Sequence, residues 1–572
     1  MKAAATRLFP ALTWLRGYDA SKDLSGDLIA GLTVAVMLIP QGMAYAMLAG
    51  LPPVVGLYAS VFPQLAYAVF GTSRQLAVGP VAMDSLLVAM GVGAIAQTGS
   101  DEYVLYAVVL AGMVGAIQVG MGLLKLGRLV TLLSHPVISG FTSAAAIIIG
   151  LSQLKYLIGV DLGRAARLHE LLYEAVPRLV ETHAITFAIG AVAIAILLVF
   201  KKKWPRFPGA LLVVVLATVA TWAFGLDGQG VRIVGDVPAG LPTPSIPRVE
   251  LARLGDLLPT AFAIALVAFM EAISVAKAMA RKNGYEVDAN QELVGLGMAN
   301  LMGFGFGGYP VTGGFSRTAV NGQAGARTAL ASVITAVVIA VSLLFFTPLF
   351  HFLPKAVLAA IVMTAVFGLI DVKELRHLWK VKRSDAALLL ATFAVTLFVG
   401  IKEGIGTGVV LSLALFVRRS TRPHHAVLGR LPGTKCYRNV KNFPEAVETP
   451  GVKVWRFDAS FYFANASYFR DSVDALLLSG CRDCKALVLD ASGINDLDAS
   501  AELLLHDIRA RLEEAGIGLY VANCKGPVRK VLERGGFTRE LGEDHFFFDV
   551  HDAVEAACAS SFQPVADAAG AA

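Results

Sequence analysis

GFGFGGYPVTGGFSRTAVN, residues 303–321, sits between long apolar segments, yet it is too rich in glycine and too interrupted by Pro310 to be an ordinary membrane helix. Read forward, a broken extended piece ends at Gly313-Gly314 and a helix starts at Phe315-Ser316-Arg317. That start gathers free backbone N–H groups, a Ser hydroxyl and an Arg guanidinium in one place. Unpaired N–H groups at the positive end of a helix dipole attract anions. Irregular backbone at membrane depth is tolerated only inside protein or along a watery cavity. The stretch therefore predicts an anion-binding centre in the middle of a transporter. The alternative is a glycine-rich loop between two helices at the membrane surface.

The rest of the chain fits a bilayer. Of its 572 residues 16% are charged, against roughly 25% in a soluble protein, and mean hydropathy is +0.65. Long apolar runs fill residues 1–430. From Thr434 onward charge rises and the runs shorten to strand length, which predicts a soluble domain over 435–560. The N-terminal stretch lacks a long apolar core ending in a small-residue cleavage site, so no cleaved signal peptide is expected. The net charge of +6 reads as membrane orientation, with no nucleic-acid partner. All five cysteines, Cys436, Cys481, Cys484, Cys524 and Cys558, lie in the tail. The lone CxxC has no second pair, so free thiols in a reducing cytosol are expected, with no metal site and no cofactor.

Apolar segments run from 27–48 to 403–418, and those at 80–96 and 315–324 are too short to span ~30 Å of hydrocarbon. Basic residues fall in alternate loops: Lys125 and Arg128, Lys201–Lys203 with Arg206, Arg281 and Lys282, Lys380 to Arg383, and Arg418 to Arg422. Positive residues stay inside. An inner (plasma) membrane protein with both termini cytoplasmic and an even number of spans is expected.

GTSRQLAVGP, residues 71–80, is a counterpart of the first stretch and leads into a helix starting near Pro80. Two interrupted short segments in corresponding halves point to a midplane substrate site. The halves would be inverted repeats whose helix N-termini share one anion. A third irregular piece, IPQGMAY at 39–45, lies inside the first span, where Gln41 offers an amide and Tyr45 a ring and hydroxyl. Its alternative reading is a simple proline kink.

Glu271 lies near the middle of AFAIALVAFMEAISVAKAMA. A carboxylate at the bilayer centre costs at least ~2.5–3.5 kcal/mol, so it is a functional candidate by default. It is suited to carry a proton and couple it to anion movement; the alternative is a structural ion pair or hydrogen bond. Asp84, one turn beyond Pro80, would repel an anion unless neutralised. Protonation, pairing with Arg317 or Lys277, and orientation away from the site all stay open.

At these residues the chain resembles the SulP family of sulfate permeases and related anion transporters. The matching stretches are PQGMAYA (40–46), GLPPVVGLYASVFPQLAYAVFGTSRQLAVGPVA (50–82), HPVISGFTSAAAIIIGLSQL (135–154), MEAISVAKAMA (270–280), YPVTGGFSRTAVN (309–321) and LPKAVLAAIVMTAVFGLID (353–371). The resemblance implies an all-α polytopic membrane domain of about fourteen spans in a seven-plus-seven inverted repeat. A core (about 24–130 and 256–348) would carry substrate and move like an elevator against a gate (about 131–226 and 349–420) held in a homodimer. The family's substrate positions fall on Gln41, Tyr45, Ala46, Pro80, Val81, Phe315, Ser316 and Arg317. Its proton-coupling carboxylate falls on Glu271, and glutamate there favours protons over sodium. Asp84 departs from the apolar residue expected at its position.

The tail alternates strand-like segments (452–457, 486–490, 517–521) with helix-like ones (465–478, 499–514, 526–534), a small α/β unit. DASGINDLDASA, residues 490–501, resembles the signature of a STAS domain. Ser500 matches a position phosphorylated in some anti-sigma-factor antagonists, which makes it a candidate regulatory residue, although Ala501 replaces the usual glycine. Asp498 and Ser500 also suit a helix N-terminus, and capping is the expected role of Ser500.

The leading expectation is a secondary active anion transporter that takes up sulfate with protons, the anion held by Gln41, Ser316 and backbone N–H groups under the positive potential of Arg317. The alternatives are a bicarbonate or C4-dicarboxylate transporter, a channel-like anion pathway regulated by the STAS domain, and a membrane-anchored sensor. No Ser/His/Asp set, metal cluster or phosphate loop is apparent, so an enzyme is not expected.

Overall fold

The computed structural model describes residues 9–127, 135–162, 167–204, 208–245, 247, 251–478 and 484–561. Arg128, Arg206 and Cys481 lie outside them. The chain divides into two compact units between Ser412 and Leu413.

The first unit is helical. Seven helices are long and apolar enough to cross a membrane by length and composition, among them Ala20–Ala49, Asp101–Leu123 and Arg253–Asn283. Ala82–Gly93, Gly209–Phe224 and Leu330–Phe345 are shorter apolar helices. With Ala289–Gly305, Phe315–Gln323, Arg383–Phe398 and Ile401–Thr421, fourteen helical segments among the described residues occupy the places of the expected spans. Leu216, Val219, Trp222 and Phe224 of Gly209–Phe224 stand exposed, as a helix facing hydrocarbon requires. Ala20–Ala49 begins on Asp19, whose side chain accepts the Ser21 N–H, and closes at Gly50 with φ 79°. Pro40 lies inside this helix without ending it. The irregular piece expected at 39–45 is thus continuous helix, because proline removes one donor and buried neighbours hold the turn.

The chain leaves helix where it was expected to, at two places that meet. β1 (Val78–Gly79) and β2 (Thr312–Gly313) pair antiparallel, Val78 opposite Gly313 and Gly79 opposite Thr312. The Gly314 N–H donates to the Ala77 carbonyl at 3.1 Å. Other freed backbone groups are satisfied by side chains, as a site away from water demands. Asn300 Nδ2 donates to the Val311 carbonyl (3.1 Å) and its Oδ1 accepts the Val311 N–H (2.8 Å). The Ala77 N–H reaches Thr318 Oγ1 (3.1 Å), and Asn321 Nδ2 donates to the Gln75 carbonyl (2.8 Å).

Two buried carboxylates fasten loops to helix starts. Asp27 accepts from the Arg327 and Thr328 N–H groups (2.7 and 3.0 Å) and from Thr328 Oγ1 (2.6 Å). Glu292 accepts from Tyr67 OH, the Thr72 N–H and Thr72 Oγ1, each at 2.6 Å, and from the Ser73 N–H at 3.1 Å. Asp101–Leu123 and Ala289–Gly305 pack so closely that a Cβ on Gly115 would come 2.8 Å from the Gly297 carbonyl oxygen. Small residues permit such approach where no water drives helices together.

The second unit carries a six-stranded sheet in the order β4-β3-β5-β6-β7-β8. β5 (Val452–Phe457), β6 (Ala486–Asp490), β7 (Gly518–Ala522) and β8 (Phe546–Phe547) run parallel. β3 (His425–Arg430) joins β5, and β4 (Tyr437–Asn439) joins β3, both antiparallel. Trp455, Phe457, Phe461 and Phe469 fill the core on one face. β3, β4 and β8 were not expected; β4 and β8 are too short to show a period. Asp498, not Ser500, caps Ala499–Glu514, accepting the Ala501 N–H at 2.9 Å. Ser500 stands exposed in the first turn, because the cap position precedes the first helical residue. Cys436, Cys524 and Cys558 are free, and burial pushes the Cys524 thiol up to about 11. Cys484 is disulfide-bonded, which corrects the expectation of free thiols throughout; that expectation weighed compartment and not local chain geometry.

Replacing Glu292 with leucine removes the carboxylate that four donors share. Glu292→Leu should lower stability by on the order of 3 kcal/mol, read as a fall in the thermal unfolding midpoint in detergent. An unchanged midpoint would contradict the clamp.

Candidate functional site

The paired strands aim two helix starts at one region. Val81, extended, caps Ala82–Gly93, and Gly314 caps Phe315–Gln323. Neither start has a side-chain cap, so first-turn N–H groups of both helices stay available to a ligand.

Arg317 ties the starts together. It is 2% exposed, and its Nη1 donates to the Pro80 carbonyl at 2.7 Å. A Cβ on Gly314 would sit 2.8 Å from Arg317 Nη2, and one on Gly79 would sit 3.5 Å from it. The absence of a side chain at residue 314 therefore makes room for the guanidinium. Nε and Nη2 meet no acceptor in the protein. A buried guanidinium with two unspent nitrogens is poised for an oxyanion.

Around it lie the other expected residues. Gln41 and Tyr45, one turn apart on Ala20–Ala49, are buried, as are Ala46 and Pro80, and the Gln41 Oε1 is unpartnered. Tyr45 and Glu271 are both within electrostatic range of Arg317. Glu271 is 9% exposed, with Oε2 unpartnered. Val81 is half-buried. Phe315 and Ser316 are instead exposed, so the first turn of Phe315–Gln323 has one open side and one sealed side. Asp84 pairs with neither Arg317 nor Lys277; both its oxygens lack a partner, and Glu271 is the charge it feels.

Two residues at the junction escaped the sequence reading. Tyr309 is wholly buried and in range of Arg317, and its hydroxyl lies 3.0 Å from Ser85 Oγ. Ser85 in turn donates to the Val81 carbonyl at 2.7 Å. Tyr309 opens the YPVTGG run, so its presence in the decisive stretch was a signal; Ser85 carried none. A cavity of about 1000 Å³ lies apart from the junction, around Trp14, Arg74, Tyr285 and Asn290. There Tyr285 OH donates to Gln75 Oε1 at 2.6 Å and accepts the Arg74 N–H at 3.1 Å. Buried unspent donors, not volume, mark the anion site.

Comparison with known proteins identifies the family. Residues 24–392 match the model of the sulfate permease family, and residues 443–553 match the STAS domain. The chain is 43% identical over 565 residues to sulfate transporter 4.1, chloroplastic, of Arabidopsis thaliana, covering 96% of this chain and 82% of that protein. The structure of the murine solute carrier 26 family member A9 anion transporter in the inward-facing state is similar at a TM-score of 0.89 and 28% identity, covering 98% of this chain and 95% of that one. The transmembrane domain of the cyanobacterial bicarbonate transporter BicA is similar at a TM-score of 0.58 and 28% identity, covering 68% of this chain and 97% of that one. The chain belongs to the sulfate permease family of multi-pass membrane anion transporters, with a STAS domain after its helical unit.

Proposed function

We propose that this protein takes up sulfate together with protons, binding the anion where β1 and β2 meet. The observation that carries the reading is Arg317, buried between two helix starts with Nε and Nη2 unspent. Its unit charge and two helix N-termini of roughly half a charge each sum to about +2. That suits a dianion better than singly charged bicarbonate, the substrate named for one structural relative. The 43% identity to a sulfate transporter supports the same choice. Gln41, Tyr45 and backbone N–H groups at the helix starts contact the anion. Ala46, Pro80, Val81, Phe315 and Ser316 shape the pocket, with Phe315 and Ser316 on its open side.

Glu271 takes up a proton as the anion loads. Buried beside Arg317, its charge would otherwise cancel much of the potential that attracts substrate. The loaded core moves past a dimer-forming gate. Packing supports this division. Thr335 Oγ1 donates to the Gly31 carbonyl at 3.0 Å, tying Leu330–Phe345 to Ala20–Ala49 within the core. His135–Ser152 packs against Arg383–Phe398 within the gate. The alternation of basic loops supports an inner or plasma membrane location with both termini cytoplasmic.

Purified protein in proteoliposomes, offered labelled sulfate, bicarbonate and fumarate with and without proton or sodium gradients, tests the reading. Sulfate accumulation under an inward proton gradient is expected; accumulation of another anion alone, or dependence on sodium, would contradict it. Arg317→Ala should lower sulfate uptake at least about tenfold, since each charge-assisted hydrogen bond contributes roughly 1.5–3 kcal/mol; normal uptake would remove the site from the junction. Glu271→Gln should weaken acid-stimulated accumulation while sulfate exchange continues. Accumulation that follows the pH gradient as steeply as in the wild type would make Glu271 structural.

A further inference from the structure

Asp84 is the buried acid that the cycle above leaves without a task. It sits in the first turn of Ala82–Gly93, wholly buried, and neither oxygen meets a hydrogen-bond donor from the protein. Asp27 and Glu292, equally buried in the same unit, are served by three and four donors. An ionised carboxylate taken out of water with no donors costs several kcal/mol; a neutral carboxyl avoids that cost.

The elements packed against this helix include Ala20–Ala49, Asp101–Leu123, His135–Ser152 and Leu251–Asn283. From Leu251–Asn283 comes Glu271, the one charge among the described residues that Asp84 feels. Tyr309 lies within range of Asp84 and bonds to the adjacent Ser85. Ala20–Ala49 brings Tyr45, and Asp101–Leu123 brings Tyr103 and Tyr106; Tyr103 is spent on the Ala49 carbonyl at 2.6 Å. His135–Ser152 brings no charged group near the junction: His135, at its far end, is exposed and pairs with Glu374. Among the described residues no cation offsets Asp84, and its neighbour is a second carboxyl. Two such groups load and lose protons as a pair.

The charge count then has a consequence. Arg317 and the two helix starts give about +2, which balances a dianion only when both carboxyls are neutral. With the anion gone and both carboxyls ionised, the same +2 is balanced again. We propose that Asp84 is a second proton-binding group that loads together with Glu271, so that two protons accompany each sulfate. Each of the two carboxylates gains one proton, on one of its oxygens, on the loading side and loses it on the release side. Two positive charges travel with two negative ones, and the cycle moves no net charge. The inference rests on the proton-coupled reading above.

The test uses the full-length protein in proteoliposomes, with potassium gradients and valinomycin setting the potential independently of pH. Wild-type sulfate uptake should rise with the square of proton concentration and ignore the potential. Asp84→Asn should reduce the proton order from two to one and make accumulation follow an inside-positive potential. Asp84→Ser serves, with the same expected outcome, where the amide variant does not fold. If both variants are silent, the wild-type charge count decides. Wild-type uptake that is first order in protons and driven by an inside-positive potential overturns the inference while leaving proton coupling in place. So does an Asp84→Asn protein that keeps second-order, potential-independent uptake. Wild-type uptake indifferent to a pH gradient overturns the coupling itself.

Discussion

Backbone that leaves helix inside a bilayer has no water to bond with, so protein must supply every partner. That constraint explains why β1 and β2 are found together. Each is two residues long and could not persist alone; paired, with Gly314 bonded to Ala77, they satisfy one another. Asn300, Thr318 and Asn321 serve backbone groups the strands cannot reach. Residues 71–80 and 303–321 are therefore joined at this point. Helices starting from that point leave their first N–H groups facing it, so a need of the backbone also creates a place for an anion.

Buried charges in the first unit fall into two kinds. Asp27 and Glu292 are saturated with donors and hold loops against helices. Among the described residues of this unit, the buried charged atoms without a partner belong to Asp84, Glu271 and Arg317. Saturated groups stabilise the native state; unsaturated ones lower stability and persist where a ligand or proton completes them. Family membership says that the protein moves anions across a membrane. This sorting of charges indicates where the anion and its protons sit.

Much of the architecture was legible because glycine and proline interrupt apolar segments at only a few places. Residues 303–321 and 71–80 announced the crossing, and Arg317 was visible as the lone cation of the first of them. Pro40 misled, since a buried helix absorbs one missing donor and Ala20–Ala49 runs through it. The roles of Thr318 and Asn321 were hidden: each is an ordinary polar residue in a helix until the opposite half is brought against it, while Asn300 shows its role only once the chain folds back to Val311. Ser85 and the Glu292 clamp were hidden for the same reason, since their partners lie about 220 residues away. In the tail, β5, β6 and β7 showed a strand-length apolar run, whereas β4 and β8 take their form from the neighbours they pair with.

The central claim is that the anion lies between the two helix starts, against Arg317. Selenate, a heavier tetrahedral dianion, can be located directly by anomalous diffraction or by difference maps from bound and free protein. The account predicts a peak within about 3–4 Å of Arg317 Nε or Nη2 and of the first-turn N–H groups after Val81 and Gly314. A peak confined to the large cavity around Arg74 and Tyr285, with nothing at Arg317, would contradict it.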